Sequence, residues 1–132
     1  MPNVIATAYG RGGLTILPSA ARTATPDSFE YEVQGGASAL ILVVDVTAIV
    51  TAPSITVTIA GVDRTSGKTY TILASAAIVA TGTTVLKVGP GLPATANVST
   101  NDYLPPVFRV TVAHGNGNSI TYSVAALLCG AD

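Results

Sequence analysis

The sequence predicts an all-β protein: a single antiparallel β-sandwich or jelly-roll-like domain of seven to eight strands. Apolar residues recur at every second position in several short runs. This is the period of a strand with one buried, or dry, face and one solvent-exposed face. Turn residues separate these runs at short spacing, and none of the runs has the period of an amphipathic helix. The 132 residues are enough for one domain with a substantial core.

An extended N-terminal arm is expected at residues 1–13, where Gly, Ala and Thr are frequent and no period is sustained. The sandwich domain is expected at residues 14–132. Its first strand is predicted at residues 14–21 from the apolar stretch LTILPSA, and a long connection follows at residues 23–38.

A short strand is predicted inside this connection, because Phe29, Tyr31 and Val33 alternate with two glutamates. The next strand, at residues 40–48, has apolar residues on both faces at its start. One face carries Leu40, Leu42, Val44 and Val46, and the other carries Ile41 and Val43. Such a strand is central, or it is covered on its outer side. Asp45 follows on the second face, where we expect an edge or interface position rather than a paired buried acid.

Residues 54–64 and 69–75 predict a hairpin joined by the polar turn DRTSGK, with Gly67 at its left-handed position, and a further strand is predicted at residues 83–88. The segment at residues 61–69, GVDRTSGKT, superficially resembles a phosphate-binding loop. Its glycines, however, are separated by five residues instead of the four that the motif needs, and a strand rather than a helix follows.

A long loop is predicted at residues 89–106, with four prolines and no period. Loops of this length in compact domains usually carry a function or contact a partner.

Residues 105–129 predict a second β-hairpin from two alternating runs joined by HGNGN. The residues expected on the dry faces are Phe108, Val110, Val112, Ile120, Tyr122, Val124 and Leu128. Asn116 and Gly117 are expected at the tip, because they tolerate the positive φ values of a tight turn.

The formal net charge of −1 gives no electrostatic reason to expect nucleic acid or an anionic membrane as partner. No apolar run approaches the ~18 to 20 residues of a membrane-spanning helix. We read no signal peptide, and we expect folding in a cytoplasm. A single cysteine, Cys129, excludes an internal disulfide and is interpreted as a small apolar residue.

Catalysis by the usual routes requires a general base beside a nucleophile or a second carboxylate. The only histidine, His114, is expected to be a solvated turn residue, so we expect no enzyme and no cofactor.

Asp63 and Asp102 are the candidates for a calcium site, but the regular spacing of a calcium loop is absent and no metal is expected. Tyr70 and Tyr122 are predicted to face inward, which leaves weak support for a sugar-binding platform.

The order of these segments resembles that of small virion proteins of tailed bacteriophages, of the capsid decoration (cement or minor capsid) type. The likeness spans about residues 20–124. It is carried by SAARTAT, LILVVDVTAIVTAPSITVTIAGVDRTSGKTYTILASAAI, GPGLPATANV and LPPVFRVTVAHGNGNSITYSV. The resemblance implies a structural protein on the capsid exterior, made in a bacterial cytoplasm. It implies the major capsid protein as partner and a homo-oligomer, with a trimer favoured.

Six residues are the candidate partner contacts, because they lie in the arm, in the long loop or on the second face of the strand at residues 40–48. They are Tyr9, Arg11, Leu92, Tyr103, Ile41 and Val43. A phage tail component and a receptor- or glycan-binding module are the alternative functions, and copy number separates them from decoration.

Overall fold

The computed structural model describes residues 5–9, 12–34 and 37–129, and within these ranges the chain forms strands and no helix. The described strands are β1 (Ile5–Tyr9), β2 (Gly12–Arg22), β3 (Glu30–Gln34), β4 (Ala39–Ile49), β5 (Ile55–Asp63), β6 (Lys68–Ala74), β7 (Gly82–Gly89), β8 (Ser99–Asn101), β9 (Val107–His114) and β10 (Ile120–Cys129). They form two five-stranded sheets, A in the order β1-β3-β9-β5-β6 and B in the order β2-β10-β4-β7-β8. Pairing is antiparallel except between β1 and β3 and between β7 and β8. The predicted all-β sandwich is confirmed.

The described strands number ten rather than seven or eight, because two short strands lie where none was predicted. β1 lies within the predicted arm and β8 within the predicted long loop. Both are edge strands that pair in parallel with a neighbour. Backbone hydrogen bonds to that neighbour define such strands, so they need no apolar alternation of their own.

The core lies between the sheets and is made by the inward face of each strand. The alternation predicted for β4, β9 and β10 is confirmed, since buried residues occupy every second position through most of their lengths. The largest fully buried side chains are Tyr122, Phe108, Leu40, Leu42, Ile55, Ile59, Leu86 and Ile120. Tyr31 stacks on Phe108 with ring centroids 5.6 Å apart.

The hairpin predicted at residues 105–129 is wrong, because its two strands do not pair. β9 lies between β3 and β5 in sheet A, whereas β10 lies between β2 and β4 in sheet B. The chain between them crosses from one sheet to the other, and the two dry faces meet across the core. Alternation cannot distinguish these arrangements, because each strand has one buried face in both.

The connection at residues 115–119 is held by another connection rather than by a tight turn. Gly115 N donates to Ser54 O at 2.8 Å. Asn116 Nδ2 and Asn118 Nδ2 both donate to Ala52 O, at 3.0 and 3.1 Å. Asn116 and Gly117 do not have the positive φ values predicted for them.

The hairpin of β5 and β6 is confirmed, with Asp63 opposite Lys68 and Gly67 at a φ of 78°. Asp63 accepts hydrogen bonds from the Ser66 hydroxyl and from Thr65 N, which lower the pKa of its carboxyl group.

The predicted inward position of Tyr122 is confirmed. Tyr70 also lies on the inward side of sheet A, because it stands opposite Gly61 and Gly61 stands opposite the buried Phe108, but its side chain stays open to solvent. Tyr70 is 53% exposed. A bulge in the β5–β6 ladder skips one residue, so Tyr70 stands opposite Gly61 and its ring covers that glycine.

Candidate functional site

The outward face of sheet B brings together two of the sequence-predicted contact residues, Ile41 and Val43. We call it the sheet B face and define it by Gly13, Thr15, Ile41, Val43, Asp45, Val85, Lys87, Ala125 and Leu127. These residues alternate with buried residues in β4, β7 and β10. The strand register places six of them in two rows that run across β10, β4 and β7. We call these rows rungs, and they are Leu127–Ile41–Lys87 and Ala125–Val43–Val85. Ile41 and Val43 are therefore brought into one apolar cluster.

The centre of the sheet B face is apolar and open to solvent. Val85 is 37% exposed and Leu127 is 44% exposed. Ile41 and Val43 are half-buried, because the neighbouring strands flank them. Leu127 lies over the edge strand, where its Cδ2 would be 3.7 Å from a Cβ placed on Gly13. The small residue on β2 leaves this side of the cluster flat.

The sheet B face carries one acid and one base among the described side chains. Asp45 is half-buried, and its Oδ1 accepts a 3.3 Å hydrogen bond from the Thr83 hydroxyl. Lys87 is exposed on β7, on the rung of Ile41. Arg22 is the remaining described charged residue in the strands of this sheet. Its guanidinium group lies over the Tyr122 ring, toward the end of the sheet where β4 ends.

The outward side of sheet A differs in chemistry, because ion pairs cover part of it. Arg109 Nη2 lies 3.1 Å from Glu30 Oε2. Arg64 lies 3.9 Å from Glu30 and 4.0 Å from Glu32. Sheet A thus presents charged groups where sheet B presents aliphatic ones.

An apolar cavity of about 260 Å³ adjoins the sheet B face at the end where β4 begins. It is lined by Ala39, Leu40, Ile41, Lys87, Val88, Gly89, Pro90, Leu92 and Cys129. Leu92 packs close to Gly89, where its Cδ1 would be 3.3 Å from an added Cβ. The cavity therefore joins two predicted contact residues, Leu92 from the long loop and Ile41 from β4.

Tyr103 is anchored at the same end of the sandwich and is 70% exposed. The residues on either side of it are fixed, since Asp102 N donates to Gly89 O and Leu104 N donates to Ser38 O. Asp102 Oδ1 also accepts a hydrogen bond from Tyr103 N at 2.9 Å. A large aromatic ring thus projects from a tethered backbone at the end of the sandwich that carries the cavity, which we call the cavity end.

The two arm residues predicted as contacts are only partly described. Tyr9 is the last residue of β1, and its backbone pairs with Gln34 in sheet A. Arg11 lies outside the described residues.

Sequence reasoning missed three residues of the sheet B face: Val85, Lys87 and Leu127. A signal was present for Leu127, because it interrupts the polar side of β10 and stands next to the buried Leu128. Two consecutive leucines on an alternating strand indicate that both faces contact apolar material.

His114 is not the solvated turn residue that was predicted. It is half-buried, and its Nε2 lies 2.8 Å from the hydroxyl of the buried Tyr122. Burial and the nearby Arg22 guanidinium lower the pKa of the His114 imidazole. The neutral ring therefore serves as hydrogen-bond partner for a hydroxyl group at the edge of the core.

The carboxylates considered for calcium are engaged in local turns. Asp63 closes the β5–β6 turn, and Asp102 binds the next backbone N–H. Within the described residues, no group of three or more His, Cys, Asp or Glu side chains could hold a metal ion. The part of the chain that the structure describes also contains no helix long and apolar enough to cross a membrane.

A second surface depression, of about 510 Å³, lies between residues 76–80 and residues 96–98. Mainly small apolar side chains line it, together with the polar Thr84 and Asn97. Val79 and Val98 in this lining are 55% and 46% exposed. It is separate from the predicted contact residues.

Comparison with known proteins finds no match. No family model, no curated protein and no solved structure is significantly similar to this chain. The resemblance to phage virion proteins therefore stays a prediction.

Proposed function

We propose that this protein is a structural virion protein that decorates a phage capsid and stabilises it by binding across major capsid protein subunits. It acts by binding and not as an enzyme, and it needs no cofactor, nucleic acid or membrane. On the particle, copies occupy the capsid exterior at threefold positions, so the bound form is a homo-oligomer with a trimer favoured.

One observation carries the proposal: an apolar cavity, a tethered exposed tyrosine and an apolar sheet face adjoin at one end of the sandwich. Leu92, Ile41 and Tyr103 mark this end. Exposed apolar surface rimmed by polar residues marks protein interaction sites. Aromatic side chains that project from rigid backbone make effective anchors in such contacts.

The strand order supports a jelly-roll form of the sandwich, which we include in the proposal. Setting aside the edge strands β1 and β8, the sheets read β2-β10-β4-β7 and β3-β9-β5-β6. Consecutive strands change sheet at every step except from β5 to β6. Viral capsid domains and lectins use this arrangement.

Stabilisation of the shell would follow from mass action. A protein that binds only the assembled lattice lowers the free energy of the assembled state by its own binding free energy. Contacts that span two capsid subunits are lost when the subunits separate, so the decorated shell resists disassembly.

The test is cryo-electron microscopy of the purified particle, together with quantification of this chain relative to the major capsid protein. Density at threefold positions and a copy number comparable with that of the capsid protein would support decoration. A few copies confined to the tail would support the tail alternative, and absence from the particle would move attention to receptor or glycan binding.

Substitutions at the cavity end provide a second test on the particle. Leu92→Asp places a carboxylate in the apolar contact, and we expect at least about tenfold weaker binding to undecorated shells. Val50→Asp is the matched control, because Val50 is 59% exposed at the opposite end of β4. Equal binding by both variants would contradict the assigned contact.

A further inference from the structure

We propose that two free copies of this chain pair through the sheet B face, about a twofold axis that passes between Val43 and Val85. The pairing concerns the free protein and holds whether or not the chain decorates a capsid. The threefold arrangement proposed above is a property of the particle.

The sheet B face suits another sheet as its partner. Its central rung, Ala125–Val43–Val85, is apolar and flanked by small residues on β2. Sheets that pack face to face do so through such aliphatic side chains at about 10 Å separation. A second copy supplies the same flat aliphatic surface.

The positions of the two charges specify how the copies meet. Lys87 lies on β7 opposite Ile41, and Asp45 lies two rungs further along on the neighbouring strand β4. Strands are about 4.8 Å apart, and successive residues of a strand are about 3.4 Å apart. With these spacings, one twofold axis lying in the plane of the interface places Lys87 of one copy opposite Asp45 of the other. The same axis passes through the midpoint of the Val43–Val85 pair and is tilted by about 20° from the direction of that rung.

This single operation satisfies three conditions at once. Val43 packs on Val43 and Val85 on Val85, so the central aliphatic rung of the face is covered. Both Lys87–Asp45 contacts form, which leaves neither charge unpaired in the interface. The strands of the two copies cross at about 40°, which is nearer to the aligned than to the orthogonal class of sheet packing.

Charge complementarity favours a second copy over a different partner. The face holds one acid and one base, and its own twofold image presents the opposite charge to each. A partner surface with one sign of charge would pair only one of the two groups and bury the other beside a like charge.

The experiment measures the mass of the purified full chain by sedimentation equilibrium over a wide concentration range. We expect a monomer–dimer equilibrium between the chain mass of 13.2 kDa and twice that value. A single-chain mass at every concentration, or a trimer, would overturn the pairing.

Charge reversal tests the register of the two copies. Lys87→Glu sets two carboxylates against each other at both contacts, and we expect the dimer dissociation constant to rise about fivefold or more. Adding Asp45→Lys restores the opposite charges and should return the constant to within about twofold of the parent. Lys68→Glu is the control, because Lys68 is an exposed strand residue in sheet A. Failure of the double variant to recover would overturn the proposed axis.

A substitution at the centre of the face tests the surface itself. Val85→Asp buries an unpaired carboxylate on the axis, and we expect at least about tenfold weaker dimerisation. Val79→Asp, at a residue 55% exposed outside the face, should change nothing. Urea unfolding midpoints confirm that each variant folds. A dimer that resists Val85→Asp would overturn the assignment of the sheet B face.

Discussion

Tyr122 carries a hydroxyl group into an otherwise apolar core, and two neighbouring side chains accommodate it. His114 Nε2 lies 2.8 Å from that hydroxyl. The Arg22 guanidinium lies 4.7 Å from the centre of the Tyr122 ring and donates to the carbonyl oxygens of Tyr122 and Pro18. Burial raises the pKa of Tyr122, so its hydroxyl stays protonated and can donate to neutral His114.

The lowered pKa of His114 makes stability depend on pH in a defined window. Burial disfavours the imidazolium and Arg22 repels it, so protonation favours the unfolded chain. The contribution to stability is complete above the ordinary histidine pKa of about 6.5. It is lost as the pH falls below that value toward the lower folded-state pKa.

We expect the free energy of unfolding in urea to decrease between about pH 7.5 and pH 5.5, a range above the ordinary pKa of carboxyl groups. His114→Gln keeps an acceptor for the Tyr122 hydroxyl but does not titrate, so its curve should be flatter. Parallel curves for the two proteins would show that His114 is not the responsible group.

Thr51 is a second residue with a local consequence, because it adopts a φ of 64°. A β-branched side chain in this left-handed region is strained. Thr51→Gly should raise the free energy of unfolding by about 0.5 to 1 kcal/mol, the relief of strain being partly offset by the greater unfolded-state entropy of glycine. Thr47→Gly in β4 is the control and should destabilise. A loss of stability in Thr51→Gly would contradict the assigned strain.

The connections between the sheets stabilise one another at the element scale. The chain crosses between sheets at residues 50–54 and again at residues 115–119, and these crossings lie side by side. Val50 N donates to Ser119 O, and Gly115 N donates to Ser54 O. Ala52 O accepts from both Asn116 and Asn118. The second crossing is therefore positioned by the first and needs no tight turn.

Removing the two amide donors tests this mutual support. Asn116→Ala or Asn118→Ala should each lower the free energy of unfolding by about 1 kcal/mol. Either single variant leaves Ala52 O with one donor, whereas the double variant leaves it with neither amide. We therefore expect the double variant to lose more than the sum of the single losses. Strict additivity in chemical denaturation would show that the two amides act independently.

At the scale of the whole molecule, stability and recognition depend on different aromatic residues. Phe108 is 0% exposed and stacks on Tyr31 in the core, whereas Tyr103 is 70% exposed at the cavity end. Phe108→Ala should lower the free energy of unfolding by about 3 to 5 kcal/mol through lost burial and an unfilled cavity. Tyr103→Ala should leave it within about 0.5 kcal/mol of the parent.

The same two variants separate folding from particle binding. Tyr103→Ala should weaken binding to undecorated capsid shells, measured by co-sedimentation, while its thermal unfolding is unchanged. A folded Tyr103→Ala variant with parental binding would remove Tyr103 from the proposed contact.

The sequence alone determined where most strands lie and which side of each is buried. Alternation is a local property, because successive side chains of a strand point to opposite faces. The inward faces of β4, β9 and β10 and the turn at Gly67 were therefore predictable. The apolar outward residues Ile41 and Val43 were visible for the same reason.

Only the tertiary structure decided which strands pair and which outward residues meet. β9 and β10 follow each other in the chain yet belong to different sheets, and β1 and β8 exist as strands through their neighbours. The sheet B face forms because β7 and β10 flank β4, which brings Val85 and Leu127 beside Val43 and Ile41. The side-chain period within one strand carries no information about its neighbour. That choice is made by the packing of all inward faces into one core.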